Sequence, residues 1–220
     1  NLALAILAFA PSIVAAPGDD IAYVRGRLAP ILTAERTALN FLCHLSGVAT
    51  LTNRYVTEAA RGGGAKVWDT RKTTPGLRAL QKAAVRAGGG RNHRGNLSDW
   101  MLLKDNHITG IGITEAVQRC RDLWPARTVH VECDRIEQMV EAIEAGAAAV
   151  LLDNMTPDQV RECVVTARQL AERGHPALIE ASGGISLDTI AEYSATGVDQ
   201  ISVSRITQSA PALDIGLDCS

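Results

Sequence analysis

The sequence predicts an α/β protein built as a parallel α/β barrel, TIM-barrel-like in kind and not required to be complete. Strand-like and helix-like stretches alternate through the second half of the chain, the signature of repeated βα units around a parallel sheet. Polar residues recur in phase where the strand-like stretches end: Glu132, Asp153, Ser182 and Ser204 are separated by 21, 29 and 22 residues, about one βα unit each. In a parallel barrel those ends converge on one face, where active sites lie. A composition of 46% hydrophobic and 21% charged over 220 residues supplies a full core.

Residues Asn1 to Ala16 are almost wholly apolar and end in Val-Ala-Ala. The run lacks the basic n-region of a signal peptide and is too short to span a bilayer, so a buried helix or helix–strand element is expected there. Pro17-Gly18-Asp19-Asp20 reads as a turn. The stretch from Leu32 to Ala60 reads as a helix with Thr33 as candidate N-cap and Leu39, Leu42 and Leu45 on an apolar face, closed by Arg61-Gly-Gly-Gly64. Ala65–Asp69 reads as a short strand. Leu77–Ala87 reads as a helix with Arg78, Lys82 and Arg86 on one stripe, either solvated, facing a second subunit, or touching a ligand. Leu102 to His107 marks another strand end. Strands are then expected at Thr128–Cys133, Ala148–Leu152, Ala177–Glu180 and Gln200–Val203, and helices at Ile136–Ala145, Pro157–Glu172 and Leu187–Ala195.

Charge narrows the function classes. The chain carries 22 Lys and Arg against 24 Asp and Glu, which argues against general coating of nucleic acid. Residues 71–107 nevertheless hold eight cations and two acids, a local +6 in an acidic remainder, which suggests an anion site. No Phe, Tyr or Trp lies in residues 71–99 to stack on bases, so no nucleic-acid partner is expected, and no membrane partner either. The five cysteines, Cys43, Cys120, Cys133, Cys163 and Cys219, are odd in number and contain no CxxC pair, which predicts reduced thiols in a cytoplasmic protein.

Several runs carry chemistry. Ser182-Gly183-Gly184-Ile185-Ser186, between a strand and a helix, suits a phosphate: glycines admit the ligand to the backbone, and the next helix N-terminus offers free N–H groups. Arg71 and Lys72 pair a planar guanidinium with a point charge, a combination that suits a ligand with two anionic arms. Gly88-Gly-Gly-Arg-Asn-His93-Arg94 adds further cations on a flexible loop. Lys104 reads as an anion clamp or a Schiff-base lysine, the latter leaving a barrel aldolase as a rival enzyme. His44, His130 and His175 lack a second ligand at metal spacing and read as packing or surface histidines.

The runs LTAERTALNFL (Leu32–Leu42), DTRKTTPGLRAL (Asp69–Leu80), GGGRNHR (Gly88–Arg94), LLKDNH (Leu102–His107), LLDN (Leu151–Asn154), EASGGI (Glu180–Ile185) and LDIGLD (Leu213–Asp218) closely resemble quinolinate phosphoribosyltransferase, also called carboxylating nicotinate-nucleotide pyrophosphorylase. The resemblance runs in order from Leu32 to Asp218. It implies transfer of a phosphoribosyl group from phosphoribosyl pyrophosphate to quinolinate with decarboxylation, in NAD biosynthesis, with Mg2+. It further implies that Arg71, Lys72, His93, Arg94 and Lys104 surround quinolinate and pyrophosphate, with Gln208 nearby. Lys104, Glu132 and Asp153 become the catalytic group, Glu132 and Asp153 holding ribose hydroxyls or the metal. Ser182, Gly183 and Gly184, with Ser204 and Arg205, take the 5′-phosphate. The position of Arg36 serves the neighbouring subunit's site, so a homodimer or hexamer is implied.

The match has three departures. The family normally has a sheet-containing N-terminal domain, and here only residues 1–31 precede the matched helix, a shortened or partly given α/β domain before a barrel domain at 32–220 that includes the linking helix 32–60. The family usually has glycine in place of Ser204 and histidine in place of Gln208, so a differently specific or non-catalytic phosphate-binding paralogue of the same fold is the alternative. Trp100 replaces a small residue and reads as a core or interface side chain.

Overall fold

The computed structural model describes residues 15–218. The buried element expected at residues 1–16 lies almost wholly outside them, as does Cys219. Pro17-Gly18 forms the expected turn, with the Asp19 N–H donating to the Ala16 carbonyl at 3.1 Å.

One long helix, α1 (Leu28–Gly62), precedes the sheet and contains the predicted one. There follow β1 (Lys66–Trp68), α2 (Arg78–Ala87), β2 (Met101–Leu103), the single turn α3 (Asp105–Ile108), α4 (Ile113–Leu123), β3 (Val129–Cys133), α5 (Ile136–Glu144), β4 (Ala149–Asp153), α6 (Pro157–Glu172), β5 (Leu178–Ser182), α7 (Ile190–Ser194), β6 (Gln200–Ser202) and α8 (Arg205–Gln208). The helix α4 carries no expectation above, although Ile113, Ala116, Val117 and Cys120 repeat at helical spacing and three of them are buried. Thr156 caps α6 with a capping box to Gln159, and Pro157 starts it, which explains why that helix matches its expected limits.

All strand pairs are parallel, and the sheet order is β1-β6-β5-β4-β3-β2. That order is the chain order taken round a ring, opened between β1 and β2. In the opening, Arg91 pairs with Trp68 as an isolated parallel bridge. The fold is the expected TIM-barrel-like one, with six strands among the described residues.

Strand register divides the side chains by face, because alternate residues point to opposite sides. Val67, Leu103, Val129, Val131, Cys133, Val150, Leu152, Ile179, Ala181 and Ile201 face outward and join helix residues such as Val48, Tyr55, Met139 and Val160 in one apolar core. The inner face is different: register aligns Glu132 with Leu151, Leu151 with Glu180, Glu180 with Gln200, and Asp153 with Ser182. The core therefore lies between sheet and helices, and the barrel lumen is polar. Burial pushes the Cys133 thiol up to about 12 and Cys163 up to about 11, so these two free thiols are unreactive packing residues.

The stripe on α2 is divided: Arg86 is exposed, as a solvated stripe would have it, while Lys82 and Arg78 are tied to the protein itself. Lys82 is buried and paired with the fully buried Asp69 at the end of β1, and its ammonium also donates to the His93 carbonyl at 2.8 Å. Arg78 donates to the Arg71 and Gly95 carbonyls at 3.1 and 2.9 Å. Gln81, also fully buried, donates to the Thr207 carbonyl at 2.9 Å and accepts from the Thr74 N–H at 2.9 Å, with the His44 ring 2.8 Å away. His44 is thus the packing histidine expected.

Two stability predictions follow from the buried charges. Lys82→Ala leaves the Asp69 carboxylate buried without its counter-charge and should lower stability by about 3–5 kcal/mol, read from the midpoint of urea unfolding; a loss below about 1 kcal/mol would show that neighbouring hydrogen bonds suffice. His130, on the inner face of β3, is pushed down from 6.5 to about 4, first by burial and then by His93 and Arg94, against the pull of Glu180. Between those two pH values the unfolded chain binds the proton that the folded chain refuses. Stability should therefore fall on acidification through that window, by at most about 1.4 kcal/mol per pH unit, and His130→Gln should flatten the slope in urea titrations.

Candidate active site

Parallel strands end on one side of the sheet, and the chain places charged or hydrogen-bonding residues at almost every such end. Lys104 follows β2, Glu132 is the penultimate residue of β3, Asp153 closes β4, Ser182 closes β5, Ser204 follows β6, and Asp69-Thr70-Arg71-Lys72 follows β1. Glu132, Asp153 and Ser182 share the inner face. The strand-end spacing read from the sequence is therefore a ring of functional groups around one mouth.

In that mouth the Lys104 ammonium forms an ion pair with Glu132, with both side chains partly exposed. The Lys104 N–H donates to His107 Nδ1 at 3.1 Å, so His107 orients the start of the loop rather than facing the lumen. Arg94 is buried, and burial holds its guanidinium below the ordinary value; Arg71 adds to that, while Glu132 and Asp99 oppose it. Arg94 thus lies within the electrostatic reach of both Arg71 and Glu132. A cluster of two guanidiniums and an ammonium against one carboxylate favours a multiply charged anion.

The loop that carries His93 and Arg94 is anchored from below. Asp69 accepts from Lys82, from the His93 N–H at 2.8 Å, and from Asn92 Nδ2 at 2.7 Å. Burial lifts the Asp69 carboxyl above its usual range against the pull of these donors. Lys72 is exposed, but its carbonyl accepts from the Thr207 hydroxyl at 2.8 Å, which ties the Arg71–Lys72 loop to α8.

Ser182-Gly183-Gly184 has the backbone of an anion cradle. Asn154 sits at φ 56°, donates its N–H to the Ser182 carbonyl at 3.0 Å and donates through Nδ2 to Asp153 at 2.7 Å. Its amide lies where a Cβ on Gly183 would come within 2.4 Å, so Asn154 dictates that glycine. Gly184, at φ 62°, faces open space with nothing within 4 Å of a Cβ, and the backbone there is free to meet a ligand. One expectation is corrected. The helix after the loop starts only at Ile190, because Ser186 to Thr189 form a hydrogen-bonded turn, so no helix terminus follows the glycines directly.

Arg36 is exposed on the N-terminal half of α1 and has no contact with the mouth within one chain. Arg205 is exposed at the start of α8. Gln208 is exposed at the end of α8, and Ser204 accepts the Thr207 and Gln208 N–H groups through its carbonyl. His93 belongs to the inner wall: its Nε2 lies 3.4 Å from Glu180, and its ring sits edge-on to Trp68 and Trp100. Trp100 stacks on His130 at 5.2 Å between centroids, which makes it a lumen wall residue. Glu180 and Asp69 are missing from the expected site. Both are acids at strand positions, and only the register tells their partners.

No group of three or more His, Cys, Asp or Glu side chains among the described residues forms a metal cage. Glu132 and Asp153, sharing one face at the mouth, fit a magnesium ion of the kind held by one or two carboxylates and completed by substrate phosphates. Among the described residues no helix is long and apolar enough to cross a membrane.

Comparison with known proteins places this geometry. Residues 48–218 match the family model of the quinolinate phosphoribosyl transferase C-terminal domain. The carboxylating nicotinate-nucleotide pyrophosphorylase of Mycobacterium leprae (strain TN) is 45% identical over 202 residues, covering 91% of this chain and 70% of that protein. The human protein of the same name is 41% identical over 205 residues, covering 91% and 68%. The solved structure of the nicotinate-nucleotide pyrophosphorylase from Francisella tularensis superposes with a TM-score of 0.79 at 42% identity, over 85% of this chain and 65% of that one. With its strand-end ring, its Ser-Gly-Gly cradle and these relatives, the chain belongs to the quinolinate phosphoribosyl transferase family.

Proposed function

We propose that this protein transfers the phosphoribosyl group of phosphoribosyl pyrophosphate to quinolinate, releasing pyrophosphate and carbon dioxide and forming nicotinate mononucleotide for NAD biosynthesis. The observation that carries this reading is that the strand ends bring Arg71-Lys72, Lys104, Glu132, Asp153 and the Ser182-Gly183-Gly184 loop to one side of the sheet, with Lys104 paired to Glu132. Both substrates are polyanions, and one carries a terminal phosphate and a ribose.

The residues divide the work by chemistry. Arg71, Lys72, His93, Arg94 and Lys104 bind the two carboxylates and the pyrophosphate, guanidinium gripping an oxygen pair and ammonium adding charge. The Ser182-Gly183-Gly184 loop, with Ser204 and Arg205, receives the 5′-phosphate, and Gln208 borders the quinolinate side. Glu132 and Asp153 accept ribose hydroxyl hydrogen bonds and support positive charge as the bond to pyrophosphate breaks. Glu132 and Asp153 are the residues that would hold a magnesium ion, which would supply Lewis-acid neutralisation of the charge on the leaving group. Bond breaking at the anomeric carbon and attack by the ring nitrogen need positioning and electrostatic stabilisation, not a protein nucleophile. The ribosylated ring nitrogen, now positively charged, then stabilises the electron pair that departing carbon dioxide leaves on the adjacent ring carbon, and that carbon uses the pair to take a proton from solvent.

The Lys104–Glu132 pair gives Lys104 a resting partner that an incoming carboxylate replaces. This favours the clamp over a Schiff-base role, since an amine committed to an ion pair is a poor nucleophile. A homodimer or hexamer in which Arg36 completes the neighbouring site belongs to the same reading. The exposed Leu28, Leu32 and Phe41 around Arg36 on α1 support it. A cytoplasmic setting accords with the free Cys43, Cys120, Cys133 and Cys163.

Purified protein with magnesium should release carbon dioxide and form nicotinate mononucleotide only when quinolinate and phosphoribosyl pyrophosphate are both present. Lys104→Ala should lower kcat/KM for quinolinate by about tenfold or more. No product from a folded protein would favour the non-catalytic paralogue, and unchanged kinetics in Lys104→Ala would remove Lys104 from the site.

A further inference from the structure

Among the described residues, four buried side-chain polar atoms lack a hydrogen bond, and all belong to one cluster in the lumen: Trp68 Nε1, His93 Nε2, Trp100 Nε1 and Glu180 Oε1. Buried polar groups are ordinarily satisfied, so four such atoms together mark an organised site and not scatter. Glu180 is its centre. Its carboxylate is 1% exposed on the inner face of β5, and among the described residues its one ion-pair partner is His93, at 3.4 Å. Burial pushes the carboxyl up, but the His93, Ser202 and Gln200 side chains outweigh burial and hold it below its usual value.

Packing does not require an acid there. Leu151, paired with Glu180 in register on the same face, shows that this layer of the lumen accepts an aliphatic side chain. A buried carboxylate without Lys or Arg is costly and persists where it holds something in place. Gln200 Nε2 donates to Glu180 Oε2 at 2.6 Å and fixes that oxygen toward His93. His93 is therefore constrained at two points: its N–H donates to Asp69, and its ring Nε2 lies 3.4 Å from the Glu180 carboxylate, close to it but not hydrogen-bonded. Glu180 also lies two residues before Ser182 on the same strand face, so one rigid strand supports both the imidazole and the phosphate loop.

We infer that Glu180 is a positioning residue for the pyridine dicarboxylate: it touches neither substrate and acts by holding the His93 ring in the one orientation that meets quinolinate. This rests on the phosphoribosyl-transfer reading given above. A structural role alone would weaken both substrates and the fold together, whereas positioning through His93 acts on the quinolinate side.

The test compares wild type, Glu180→Gln, Glu180→Asp, His93→Asn and the Glu180→Gln/His93→Asn double variant, using steady-state kinetics, quinolinate calorimetry and thermal melts. Glu180→Gln should raise KM and Kd for quinolinate by about tenfold while KM for phosphoribosyl pyrophosphate stays within about twofold, and Glu180→Asp should recover part of the loss. In the His93→Asn background the same change should cost less than about twofold, because its partner is gone. An equal loss in both backgrounds, a parallel rise in both KM values with a lowered Tm, or wild-type quinolinate binding in Glu180→Gln would each overturn the inference. Should Glu180→Gln fail to fold, Glu180→Asp in the two His93 backgrounds reads the same coupling. Wild-type protein without quinolinate-dependent product would instead sink the phosphoribosyl-transfer reading, an outcome distinct from an active wild type matched by Glu180→Gln.

Discussion

Asp69 holds the candidate site together. Its buried carboxylate, at the end of β1, binds the Lys82 ammonium of α2, the His93 N–H and the Asn92 amide. Two segments, α2 and the loop at 92–93, thus meet on the two oxygens of one residue. The loop 91–95 fills the opening between β1 and β2, where the ring of strands is not closed by regular pairing, and it carries His93 into the lumen and Arg94 to the mouth. Satisfying a buried carboxylate with a full set of donors is what makes such a placement tolerable, and the geometry it imposes on the loop is the useful consequence.

Above that anchor, the polarity of the sheet does the sorting. Outward-facing Val, Leu, Ile, Cys and Ala side chains give the helices a continuous apolar surface. Inward-facing positions are then free to carry His130, Glu132, Asp153, Glu180 and Ser182. A TIM-type barrel usually fills its lumen with branched apolar side chains. Here the lumen holds indoles, imidazoles and carboxylates beneath a mouth rich in cations, with the deepest acid facing a histidine and the shallower acids facing Lys104 and the phosphate loop.

Much of this was legible before any coordinates. The strand ends at Glu132, Asp153 and Ser182 were visible because a βα unit has a characteristic length. Arg71, Lys72, Arg94 and Lys104 stood out as a charge window, and the residue runs around them pointed to the family. The roles of Lys82 and Arg78 were not legible: a cation every fourth residue on an amphipathic helix reads the same whether it faces water or a buried acid. Asp69 and Glu180 were hidden for the related reason that a single acid on a strand acquires meaning only from register, which decides whether it faces helix or lumen. The late start of α7 was hidden too, since Ser186 and Thr189 satisfy each other in a turn that competes with the helix.

If this barrel mouth binds a dicarboxylate through Arg71, Arg94 and Lys104, over an imidazole set by Glu180, a crystal of the protein soaked with quinolinate should show the pyridine ring in the mouth, its carboxylates on those cations, Lys104 drawn away from Glu132 and His93 unmoved against Glu180. Quinolinate bound elsewhere, or bound in the mouth with the Lys104–Glu132 pair intact and His93 turned away, would contradict it.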